Sequence, residues 1–242
     1  MAQLPTSSLI VFLDIERYGE RPDGVATDLR ESMYRTADEA LTAAGIVVAD
    51  RHVEDRGDGL LVLLPQAGPV EVLGAFVREL ESLVRHRAAS RTPAYRMRLR
   101  VAIANGFVSH DGKGWIGSAI NMAARLVDAG AVRAALDDNP GAHVAVIVTD
   151  DLYQDVVAQG HPSIDAGRYR QARVQLKEVD TRAWVCIPYA EPAGPAEPGG
   201  GPGSPSPPPT GGFIGNQVTG GEQHIHGDFT GMSVQIPGTW AP

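Results

Sequence analysis

With a single cysteine in 242 residues, Cys186, the chain has no internal disulfide to build. Set in the strand-like run AWVCIP, that thiol reads as a small buried hydrophobe. Positive charge is also scarce. There are 21 Lys and Arg against 29 Asp and Glu, and a net charge of −8 excludes a general nucleic-acid binder, whose affinity rests on basic side chains neutralising phosphate. Any phosphate chemistry must therefore be local. No run approaches the roughly 18 consecutive apolar residues of a membrane helix. The opening MAQLPTSSLIVFLD has neither the basic flank nor the small-residue cleavage site of a secretory signal. The expectation is a cytoplasmic protein without a membrane partner. A hydrophobic content of 43% is enough to bury a real core.

Composition divides the chain. Residues 1–190 carry mixed, periodic sequence and read as one domain. Residues 191–211 are almost wholly Pro, Gly, Ala and Ser, cannot bury enough apolar surface to offset ordering entropy, and read as a disordered linker. Residues 212–242, rich in Gly, Asn and Gln, are too short for a domain. Their alternation of small or polar residues with Val, Ile and Phe suits β-type pairing between chains, and a disordered tail is the alternative. His224 and His226 in this tail could bind a metal, although lone histidines in such a segment are ordinarily solvated.

In the first 190 residues, SLIVFLD reads as a strand ending at Asp14. Leu29, Met33, Ala37, Leu41 and Ala44 recur at helical spacing, with Gly45 as the stop. GIVVADRHVE and LLVLLP read as two strands around the turn DRGDG, which puts Asp58 at a hairpin tip. A second helix runs through Leu73, Phe76, Val77, Leu80, Leu83 and Val84, followed by a strand in YRMRLRVAIANGFV. The order βαββαβ is that of a ferredoxin-like α+β sheet, with two helices on one face. GWIGSAINMAARL then reads as a helix, AHVAVIVTD as a strand, and TDDLYQDVVAQG as a short helix capped by Thr149 or Asp150. Two strands around RQARVQLKEVD and AWVCIP close an αβαββ extension.

Three features could carry chemistry. Strands one and three can be neighbours in this topology, which would bring Asp14 and Asp58 together. Two such carboxylates repel unless a cation lies between them, and Mg²⁺ or Mn²⁺ would resolve the conflict. Each alone is equally an ordinary turn residue. Asn121 and Arg125 share one edge of a small-residue helix by the i, i+4 rule, an edge that is either solvated or set against a partner. Lys177 is a strand lysine, commonly no more than an edge guard.

Taken together, VFLDIERYG, EDRGDGLLV, GSAINMAARL and LKEVDTRAWV resemble the metal, helix and phosphate motifs of the class III nucleotidyl cyclase domain, in its compact bacterial form. The resemblance spans roughly residues 8–188 in consistent order, including the 44 positions between Asp14 and Asp58. It implies a homodimer with shared sites, two Mg²⁺ or Mn²⁺ ions per site, and a nucleoside triphosphate substrate cyclised to a 3′,5′-cyclic nucleotide and pyrophosphate for intracellular signalling. Asp14, Asp58 and the Ile15 backbone would hold the metals. Asn121 and Arg125 would act on ribose and transition state, and Lys177 would contact phosphate, all three from the partner. Glu54 and Gly114 fall at the base-reading positions. Glu54 is the guanylyl cyclase residue, whereas Gly114 matches neither cyclase type, so the base stays open among guanine, adenine and a pyrimidine. Glu178 stands where that family usually has Gly. The rival expectation is an inactive cyclase-fold binding or scaffold module that signals through the tail.

Overall fold

The structure, a computed structural model, describes residues 4–47, 52–176 and 179–189. All of these lie in one unit, Met1–Ala196. Lys177, Glu178, the linker and the tail with its two histidines lie outside the described residues.

β1 (Thr6–Ile15), rich in β-branched and large apolar residues, is buried along its central length. α1 (Asp23–Ala43) buries Leu29, Met33, Ala37 and Leu41, the stripe expected from spacing, and Gly45 follows at φ 74°. β2 (His52–Asp55) and β3 (Gly59–Leu64) form the hairpin, with Gly57 at φ 81° in its turn. A six-residue π-helical stretch, Glu71–Phe76, runs directly into α2 (Val77–Ala89). β4 (Leu99–His110) returns antiparallel to β1. These elements make a sheet segment ordered β2-β3-β1-β4, the ferredoxin-like arrangement that the element order implies.

The next part departs from expectation. Residues 114–117 are not helical: β5 (Trp115–Ile116) folds back on Ser109 and His110 of β4, and Gly117 is extended. α3 spans only Ser118–Val127. A further helix, α4 (Gly130–Asp137), follows it, so with β5 the extension is βααβαββ rather than αβαββ. β6 (Val144–Thr149), α5 (Asp150–Asp155), β7 (Tyr169–Leu176) and β8 (Val179–Cys186) complete it. β6 lies parallel to β4, and the full order is β2-β3-β1-β4-β6-β8-β7. Thr149 stands at the start of α5 but its hydroxyl makes no capping bond, and Asp150 instead accepts from the Trp184 indole N–H at 2.8 Å.

Alternate side chains of the strands feed two cores. Leu13, Val62, Val101 and Val146 meet α1 and α2, while Ile10, Leu61, Ala102 and Ile147 meet α3 and α4. Small residues let α3 approach closely: a Cβ on Gly106 of β4 would lie 2.6 Å from the Ala119 Cβ. Cys186 is buried, as expected, and burial pushes its thiol up to about 12.

Candidate active site

β1 and β3 are antiparallel neighbours, and Asp14 pairs in register with Gly59. The Ile15 N–H donates to the Asp58 carbonyl at 3.2 Å, so the hairpin tip is fastened beside the end of β1. Gly59 is needed for that closeness, because a Cβ there would lie 2.9 Å from the Leu13 carbonyl oxygen. The structure thus brings Asp14, Ile15 and Asp58 together.

Asp14 is 5% exposed and Asp58 exposed. Burial pushes the Asp14 carboxyl from 3.8 up to about 6. Arg100 opposes that rise, whereas the nearby charges of Asp58 and Asp128 add to it. Arg100 lies opposite Asp14 in the β1–β4 register, and its Nε donates to Asp14 Oδ2 at 2.8 Å with Nη2 on the same oxygen. A guanidinium therefore offsets the charge of Asp14. In front of it opens a cleft of about 370 Å³, lined among others by Arg17, Tyr18, Asp58, Arg100, Arg133 and Asp137. A larger cavity, about 520 Å³, lies against α2, and neither acid lines it.

α3 turns Ala119, Ile120, Ala123, Leu126 and Val127 into the core and leaves Asn121 and Arg125 exposed on one edge. Among the described residues Arg125 has no ion-pair partner, and neither residue lines the acid cleft of its own chain. Nearby, Phe107 and Ile116 leave 67% and 52% of their surface uncovered. Glu54 and Gly114 also lie close together. Glu54 accepts the Trp115 N–H at 3.2 Å and pairs with Arg56 at 2.5 Å, and a Cβ on Gly114 would lie 3.6 Å from Glu54 Oε1. Trp115 packs between His52 and His110, with ring centroids at 4.4 and 5.2 Å.

No family model matches the chain, and no curated protein does. Solved structures do match. An adenylate/guanylate cyclase/hydrolase from Silicibacter pomeroyi is 21% identical, with 78% of this chain aligned to all of that one at a TM-score of 0.56. The guanylyl cyclase Cya2 is 16% identical, over 77% of this chain and 93% of its own, at 0.53. The adenylyl cyclase CyaB from P. aeruginosa is 16% identical, over 80% and 100%, at 0.51. The chain has the cyclase fold. The resemblance read from the sequence therefore holds at the level of architecture.

Within this cyclase fold the sequence reading missed Arg100. Its motif, RMRLR, offers three arginines at alternate positions, and only the β1–β4 register distinguishes the one opposite Asp14. Arg98, two residues earlier, is structural: it holds Glu16 at 3.1 Å and the carbonyls of Asn139 and Ala142 at 3.1 and 2.9 Å. Among the described residues no helix is long and apolar enough to cross a membrane.

Proposed function

We propose that the chain is a nucleotide cyclase that converts a nucleoside triphosphate to a 3′,5′-cyclic nucleotide and pyrophosphate, working as a homodimer to make an intracellular signal. The observation that carries this is Asp14: a buried carboxylate beside Asp58 and paired with Arg100, the latter two lining a cleft in a cyclase fold. Among the described residues no group of three or more His, Cys, Asp or Glu forms a closed metal cage. Two carboxylates and a backbone carbonyl, from Asp14, Asp58 and Ile15, nonetheless fit Mg²⁺ or Mn²⁺, hard cations held by one or two carboxylates and completed by substrate phosphates. When bound, two such ions lower the pKa of the ribose 3′-hydroxyl and offset phosphate charge.

The protein's part is positioning. Asp14 gives up Arg100 to the incoming charge, and Arg100 turns its donors to the phosphates in the cleft. The 3′-hydroxyl gives its proton to water and its oxygen bonds to the α-phosphorus, while the bond to the bridging oxygen breaks and pyrophosphate leaves with the electron pair. Arg125 of a second copy stabilises charge on the transition state, and Asn121 orients the ribose. What supports this shared site is that both are exposed and stand away from their own cleft, with Phe107 and Ile116 offering apolar surface for a partner. Lys177 joins the proposal as a phosphate contact, and Glu54 beside Gly114 faces the base. The tail remains a candidate for self-assembly or for a protein partner.

Arg100's hold on Asp14 favours a second reading, a module that binds nucleotide without turnover. Mixing decides between them. Asp58→Ala and Arg125→Ala should each be inactive alone, but mixed in equal amounts half the dimers carry one intact site, restoring about a quarter of wild-type activity. A mixture as dead as its components contradicts the shared site.

A further inference from the structure

Among the described residues Arg17 is the one non-glycine residue with positive φ, at φ 53° and ψ 36°. For a side chain bearing a Cβ this backbone is strained, and such strain persists where surrounding structure enforces it, often at functional sites. Glycine would make the same turn without that cost. Packing does not ask for arginine here. Its side chain is 62% exposed, and its ion partner Asp137, 60% exposed, is 3.9 Å away. The loop is held by other groups: the Glu16 N–H bonds the Arg98 carbonyl at 3.0 Å, and the Arg21 N–H bonds the Tyr18 carbonyl at 3.0 Å. Of the three arginines lining the cleft, Arg100 is engaged by Asp14 and Arg133 by Asp128 at 2.7 Å. Arg17 is the least committed, three residues from Asp14.

We propose that Arg17 is a phosphate-binding residue, gripping the outer end of the triphosphate and the pyrophosphate it becomes, from the same copy that supplies Asp14 and Asp58. This rests on the cyclase reading and adds a residue to it. The guanidinium fork matches two non-bridging phosphate oxygens, and the long, exposed pair with Asp137 is weak enough to give way. The left-handed backbone is the cost of placing a fork there.

The test reads stability and binding in opposite directions. Calorimetric titration of the full chain with pyrophosphate and Mn²⁺, and with each nucleoside triphosphate and Ca²⁺, is run on wild type, Arg17→Gly, Arg17→Gln and Arg17→Lys. Arg17→Gly should raise Tm by about 2 °C or more as strain is relieved, yet weaken pyrophosphate binding by about tenfold to a hundredfold. Arg17→Gln, which keeps the strain, should lose affinity without gaining Tm, and Arg17→Lys should keep part of the affinity. A lower Tm for Arg17→Gly, or unchanged pyrophosphate affinity in Arg17→Gly and Arg17→Gln, overturns the inference, as does a wild type that ignores pyrophosphate. Triphosphate binding that does not depend on Arg17 overturns it and leaves the cyclase reading standing. Pyrophosphate bound through Arg17, with no triphosphate bound, keeps the clamp and overturns the nucleotide reading.

Discussion

Asp14→Asn should abolish a stability loss that the wild-type chain suffers as pH rises. Burial lifts the Asp14 carboxyl from 3.8 to about 6. At about 1.4 kcal/mol per pH unit, that rise of about 2 corresponds to about 3 kcal/mol. The sign follows from proton linkage. The folded chain binds this proton more tightly than the unfolded chain, so the contribution is fully present below the unfolded value and is lost as pH rises through about 6. For a unit of this size each kcal/mol moves Tm by about 2–4 °C, so the loss amounts to about 6–12 °C. Scanning calorimetry in EDTA from pH 3 to 7, on wild type and Asp14→Asn, isolates this group as the difference between the two curves. Because Asn does not ionise, the lost contact with Arg100 shifts the variant by a constant amount. The difference, wild type minus variant, should fall by about 3 kcal/mol across the window. A difference that stays level refutes the claim that Asp14 is held against its own charge.

Three other outcomes follow from the same geometry. Mn²⁺ should raise Tm, and its apparent affinity should fall by about tenfold per pH unit below about 6, because Asp14 must release a proton to accept it; an affinity that does not change from pH 5 to 7 would count against Asp14 as a ligand. Gly59→Ala should destabilise the chain by about 1–3 kcal/mol in urea titrations, since the new methyl group meets the backbone of Leu13, and should weaken Mn²⁺ binding as the Asp58 tip shifts. Cys186, buried and with its thiol pushed up to about 12, should resist a thiol reagent in the native chain and react in denaturant; fast native labelling would contradict its place in the core.

The acid pair was legible because it needs only local rules: a strand that ends near Asp14, a Gly-Asp hairpin, and a topology that makes β1 and β3 neighbours. The Asn121 and Arg125 edge was legible from helical spacing alone. Its small-residue surroundings have a different explanation from the partner surface they suggested, since they let α3 lie on Gly106 of its own sheet. Arg100 was not legible. Its role depends on cross-strand register between residues 86 positions apart, and nothing in RMRLR separates it from Arg98, which binds loop carbonyls. The start of α3 was misplaced because Trp115 and Ile116 fit a helical apolar pattern as well as a two-residue strand, and only pairing with β4 decides between them. α4 was missed because eight residues behind an Ala-Gly junction carry little periodic signal. Glu54 and Gly114 were placed at the base site by resemblance, and the structure adds that they adjoin each other and that Arg56 and the Trp115 N–H already hold the carboxylate.

The most direct test of the account is a product screen. The purified 242-residue chain is incubated with Mn²⁺ and each of the four nucleoside triphosphates, and the products are resolved by chromatography and mass spectrometry beside Asp58→Ala. The account predicts a 3′,5′-cyclic nucleotide with equimolar pyrophosphate from at least one triphosphate, and none from the variant. No cyclic product from any of the four, from a chain that is folded and binds Mn²⁺, would contradict it.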